Sequence, residues 1–111
     1  MAKFITIGYG DQAGYERTAP EVRDAAHAHD EQLVASGVLM GVAGAPLQVR
    51  NTDGEGVTTA SKAYMHADLP VAGFAVIEAA TIDDAVALVA GTPCSVAHGV
   101  VEVWPLKASS E

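Results

Sequence analysis

Apolar and polar positions along this chain change period several times, and each change marks an element. Lys3–Tyr9 (KFITIGY) is rich in β-branched and aromatic residues and runs into glycine, which predicts a strand. Gly10–Ala19 reads as a polar loop, with Thr18 as N-cap, Pro20 two residues on and Glu21 completing a capping box. From Pro20 the period lengthens to three or four. Val22, Ala25, Ala26, His29, Leu33 and Ser36 share one stripe, predicting a helix to Ser36 that Gly37 terminates. Val38–Val49 is extended and apolar, with a bend at Gly41, Gly44 and Pro46. Asn51–Gly56 contains Asp-Gly, a hairpin signal, and Val57–Met65 returns as the partner strand.

After a second connection at His66–Pro70, Val71–Ala79 (VAGFAVIEA) is almost continuously apolar. That pattern predicts a central strand buried on both faces. Thr81 caps a second helix whose first turn holds Asp83 and Asp84, where the helix dipole favours anions. It ends at Gly91. Thr92–Ala97 reads as irregular, and His98–Pro105 as the last strand. The order is β-α-β-β-β-α-β. Without the extra hairpin this is the split βαβ pattern of a ferredoxin-like α+β fold. A central strand apolar on both faces needs a second cover, so two sheets facing each other predict a dimeric α/β barrel.

Composition narrows the class. The 111 residues make one domain, assigned to 1–106, with 107–111 as a frayed tail. Six Lys and Arg against 14 Asp and Glu give a net charge of −8, which argues against nucleic-acid and anionic-membrane partners. At 18% charged and 50% hydrophobic, the chain has too much apolar content for a disordered acidic tail. Only 5% is aromatic, so small side chains dominate and each buries little area. One cysteine, Cys94, allows no internal disulfide, and with no apolar leader or span the expected setting is the cytoplasm. No phosphate loop, triad order or zincin signature appears, and no cofactor is expected.

The candidate chemistry rests on few residues. His29 lies on the apolar stripe, where burial or a nearby carboxylate would tune it for acid–base work; the alternative is a core histidine holding one hydrogen bond. His27 falls on the opposite side between Arg23 and Glu31, a solvated charged face, so the two imidazoles do not share a metal from one helix. His66 and Asp68 form a His-x-Asp in a connection, either a solvent-facing turn or half of an acid–base pair or metal site. His98 shares a strand face with Val100, Glu102 and Trp104, at a strand end or a cavity mouth. Tyr9-Gly10-Asp11 ends the first strand, with the Tyr9 hydroxyl at a sheet end and Asp11 accepting hydrogen bonds from the loop. Cys94 has no basic neighbour in sequence that would lower its thiol pKa.

The segments KFITIGYGD, ASGVLMGVAG, GFAVIEAATIDDAVALVAGTP and HGVVEVWPL, in this order and spacing, resemble the YciI-like (YCII-related) family, in particular its DGPF branch. The resemblance implies a ferredoxin-like fold and dimers built around facing sheets. Biochemical roles in the family are mostly undefined. A few members are enzymes, including a dehydrochlorinase of chlorinated hydroxyhydroquinone degradation. Classical members have been proposed to use a histidine of the first helix with an aspartate. Two departures stand out. The DGPF signature is replaced by Ser61-Lys62-Ala63-Tyr64, which keeps only the aromatic end. The family histidine falls beside His27 when aligned on Ser36-Gly37-Val38-Leu39, and on His29 when aligned on its spacing to Leu33.

Two readings follow. In one, a homodimer binds a small organic ligand and works on it with His29 as acid–base, Asp68 or Asp11 orienting it, and Tyr9, Asp11, His66 and His98 contributing to the ligand site. In the other, the chain is a non-catalytic dimeric interaction or ligand-sensing module.

Overall fold

The structure is a computed structural model that describes residues 1–107. Strand β1 (Ala2–Tyr9) leads into a short helix α1 (Gln12–Glu16) and the long helix α2 (Pro20–Ala35). Strands β2 (Leu39–Val42), β3 (Gln48–Arg50), β4 (Thr58–Ala60) and β5 (Val71–Ala79) follow. Helix α3 (Ile82–Val89), the single turn α4 (Pro93–Val96) and strand β6 (Val100–Leu106) complete the chain. The main sheet has the order β2-β5-β1-β6 with every pair antiparallel. Order and directions are compatible with a ferredoxin-like fold. The sheet is open, with β2 and β6 at its edges, and the single chain closes no barrel. Of the expected tail, residues 108–111 lie outside the described residues.

Local chemistry explains most boundaries. Gly37 has φ +102°, and the Gly37 and Val38 amides donate to the Val34 and Leu33 carbonyls at 3.0 and 3.1 Å. That is a Schellman close, and its left-handed position favours glycine. The Thr81 hydroxyl accepts the Asp84 amide at 3.1 Å, as expected of an N-cap. The start of α2 differs from expectation. Its N-cap is Ala19, and Thr18 is buried with its hydroxyl on the Gly14 carbonyl at 2.9 Å. The cause is α1, a helix in the segment expected to be loop. Asp11 caps α1 by accepting the Gly14 amide at 2.8 Å, and Thr18 fastens its end.

The expected strand Val38–Val49 breaks after Val42, and β3 pairs only with β4, in a separate arm. Its turn is a 3-10 step with Asp53 and Gly54 at positive φ. The arm leaves Leu47, Val49, Val57 and Tyr64 exposed, so it has no core of its own. The radius of gyration, 16.0 Å, exceeds the about 13 Å of a compact chain of this length. His98 is not in the last strand. It is exposed with φ 63°, one step before Gly99, and β6 begins at Val100.

Helices cover one face of the sheet. Phe4, Ala75, Ile77 and Ala79 meet Ala85 and Val89 of α3 there, and this cluster is the core. β5 is central, as its composition predicts, but only one of its faces is covered. Pairing puts Phe74 beside Ile7 and Gly41, Val76 beside Ile5 and Leu39, and Trp104 beside Ile5 on the opposite face. Leu39 is 73%, Phe74 50% and Trp104 55% exposed. Together these side chains make a contiguous exposed apolar surface on the face that the helices do not cover.

A cavity between the long helix and the sheet

Helix α2 packs chiefly against α4, and its second half stands over the sheet. The gap is a cavity of about 880 Å³, within the size range of small-molecule sites. The sheet supplies Thr6, Gly8, Gly73, Ala75 and Ile77 to the lining, and α2 supplies Asp30 and Leu33. Two glycines of the floor are fixed by close neighbours, since a Cβ on Gly73 would lie 2.7 Å from the Gly41 carbonyl oxygen and Gly8 lies under Cys94. Cys94 from α4 sits over the floor: a Cβ on Gly8 would lie 2.8 Å from its Sγ.

Asp30 is the principal polar group of this cavity. Ala26, Asp30 and Leu33 follow at i, i+4 and i+7, so they share the inward stripe of α2, where Ala26 and Leu33 are buried. One carboxylate oxygen of Asp30, Oδ1, is shut off from solvent and has no hydrogen-bond partner. Burial pushes the Asp30 carboxyl above the ordinary carboxylate range, and His27 and His29 pull it back only in part. Burial, and then the negative charge of Asp30, push the Cys94 thiol up as well. Cys94 is therefore poor in thiolate near neutral pH and is no activated nucleophile.

At the rim, the Tyr15 hydroxyl and His27 Nε2 share a hydrogen bond of 2.7 Å. The Arg23 guanidinium stacks on the outer ring of this pair, 4.8 Å from the Tyr15 centroid. His27 is exposed, as its place on the charged face predicts, but α1 brings Tyr15 to it.

The other candidates are dispersed. His29 Nε2–H donates to the Leu88 carbonyl at 2.6 Å. Leu88 lies in the last turn of α3, where backbone carbonyls lack helical partners, so His29 staples α2 to α3. Its ring rests against Gly91 in a shallow groove with Val22 and Val96, apart from the large cavity. Asp68 and His66 are exposed in the connection before β5 and line neither cavity nor groove. His98 is exposed and lines neither. Asp11 does reach the cavity rim, with one oxygen committed to the α1 cap. Tyr9 is buried on the far side of the sheet. Its hydroxyl donates to Glu102 Oε1 at 2.7 Å, and Trp104 Nε1 donates to the same oxygen at 3.3 Å. That bond to Glu102, and then burial, raise the Tyr9 pKa. No cluster of three or more His, Cys, Asp or Glu suited to a metal occurs among the described residues. No helix among them is long and apolar enough to cross a membrane.

The residue missed from the sequence is therefore Asp30. Its signal was available: a carboxylate at the i+4 position between a buried Ala26 and a buried Leu33. The Ser61–Tyr64 segment, which replaces the DGPF signature, lies outside the cavity at the base of the arm. There Gln48 Nε2 donates to the Lys62 carbonyl at 2.9 Å, and the Arg50 guanidinium sits 5.5 Å from the Tyr64 ring centroid. No curated protein matches the chain. The YCII-related domain model matches residues 2–109, a span that takes in all six strands, both walls of the cavity and the arm, and the chain belongs to the YCII-related family.

Proposed function

We propose that this YCII-related protein binds a small organic molecule in the cavity between α2 and the sheet, with Asp30 as the acid–base group that meets it. The observation that carries the reading is Asp30 Oδ1, shut off from solvent and without a hydrogen-bond partner, on a residue that lines a largely apolar cavity of about 880 Å³. A carboxyl held above its usual range can donate and accept a proton closer to neutral pH, which suits general acid–base work. The acid–base role expected of His29 passes to Asp30, because the His29 Nε2–H is committed to Leu88 and its ring faces a different groove. We further propose that the active form is a homodimer. The apolar sheet face and the coreless arm support it, since both present surface that a second copy would cover.

The raised Asp30 pKa has a definite consequence for stability. Between the ordinary value of 3.8 and its higher value in the fold, the folded chain holds a proton that the unfolded chain has released. Stability contributed by protonated Asp30 is complete below 3.8 and is lost as pH rises through the folded pKa. Asp30→Asn is therefore expected to raise the melting temperature at pH 7, with the gain vanishing at pH 3.5 and below. The direct test is a carbon-detected NMR titration of the Asp30 carboxyl. A midpoint above the ordinary carboxylate range supports the reading, and a midpoint at or below 3.8 contradicts it.

A further inference from the structure

The charges around the cavity define the class of ligand more narrowly, in an argument that rests on the small-molecule reading above. Three carboxylates line the cavity, Asp11, Asp30 and Glu31, and no lysine or arginine does. An anionic ligand would meet these groups, and the Arg23 guanidinium at the rim is stacked on the Tyr15 ring and is not part of the lining. The imidazoles near Asp30 are both engaged: His27 with the Tyr15 hydroxyl and His29 with the Leu88 carbonyl. From α4, Asp30 faces the Cys94 thiol, which is neutral near pH 7. The sheet offers the uncharged Thr6. An ionised carboxylate only accepts hydrogen bonds, so what Asp30 lacks is a donor, and a positively charged donor also offsets its desolvation. The walls beside it, Leu33, Met40, Ala75, Ile77 and Val89, suit an alkyl or aryl body. The net charge of −8 draws cations toward the protein and repels anions.

We propose that the ligand is a cationic primary amine with an apolar body, its ammonium on the Asp30 carboxylate and its hydrocarbon against Leu33 and Ile77. The ammonium supplies both the charge and the N–H donors that the site lacks. The apolar walls then discriminate among amines by the size of the hydrocarbon.

The experiment is calorimetric titration of the full chain at pH 8, far above the ordinary carboxylate range, and at 150 mM salt, which screens surface attraction. The probes are 2-phenylethylamine, its hydroxyl counterpart 2-phenylethanol, and 3-phenylpropionate. The amine is expected to bind at least about tenfold more tightly than the alcohol, the margin of a charge-assisted hydrogen bond over a neutral one. The carboxylate is expected not to bind. In Asp30→Asn the amine should fall to the affinity of the alcohol, while the alcohol is unchanged, which also shows that the variant is folded. Amide shifts at Thr6, Ala75 and Cys94 would place the amine in the cavity. Binding of alcohol or carboxylate as tight as that of the amine, with shifts in the cavity, would overturn the amine assignment and leave the small-molecule reading standing. Amine affinity that survives Asp30→Asn would overturn the assignment too. Shifts confined to residues elsewhere, for all three probes, would overturn both.

Discussion

Phe74→Asp is expected to convert the protein from a species of twice the chain mass to a monomer in light scattering at micromolar concentration. Phe74 stands half exposed in the middle of the apolar sheet face, paired with Ile7 on one side and Gly41 on the other. With Leu39, Val76, Ile5 and Trp104 it forms the surface on which a second copy would sit. A two-fold interface repeats each substitution, so one change introduces two carboxylates into the seam. Leaving a charge buried without a partner costs about 3–5 kcal/mol, so two of them, at about 1.4 kcal/mol per decade, weaken association by roughly four orders of magnitude or more. Val86→Asp is the control. Val86 is 49% exposed on α3, in the helix layer, and a charge there should leave the dimer intact. A wild-type protein that is monomeric at these concentrations would contradict the proposed assembly outright.

Ile77→Ala is expected to destabilise the fold by about 2–5 kcal/mol, the range for truncating a buried aliphatic side chain. Ile77 is 1% exposed and is the largest fully buried side chain among the described residues. It pairs with Phe4 across β5 and β1 and packs in the core cluster with α3. The site has little capacity to collapse around the loss, because three members of its cluster are already alanine. Ala75, Ala79 and Ala85 surround the same layer, and Ile77 also walls the cavity. The value should fall in the upper part of the range for that reason. Urea unfolding at matched protein concentration measures it, since any dimer would couple stability to concentration. A loss below about 1 kcal/mol would show that this layer is not the main core.

Much of the fold was legible because its signals are local. KFITIGY alternates correctly, Gly37 ends its helix by the geometry that favours glycine, and Thr81 caps the next one. The misreadings share a different cause. Thr18 looks like a cap, yet its hydroxyl belongs to α1, a helix of five residues too short to leave a period. The segment Val38–Val49 looks like one bent strand, but it breaks after Val42 and its second half pairs with β4 in the arm.

The site was less legible than the fold. His29 drew attention as a histidine on an apolar stripe, but its role depends on a carbonyl 59 residues away in sequence. Asp30, one position further on, reads as the polar neighbour of that stripe. Its spacing from Ala26 and Leu33 puts it on the inward side of α2, a signal that the histidine beside it overshadows. The cavity itself was not legible, because its lining comes from elements far apart in sequence, from Thr6 on β1 to Cys94 on α4.

The central claim is that the cavity beneath α2, and not the groove at His29, is where a small molecule binds. The most direct measurement is a ¹H–¹⁵N correlation spectrum of the full chain, recorded against a set of small neutral, cationic and anionic aromatic fragments. The account predicts saturable shifts at Thr6, Gly8, Asp30, Ala75 and Cys94, which line the cavity from four different elements. Shifts confined to Val22, His29, Gly91 and Val96, or no saturable shift at the cavity residues with any fragment, would contradict it.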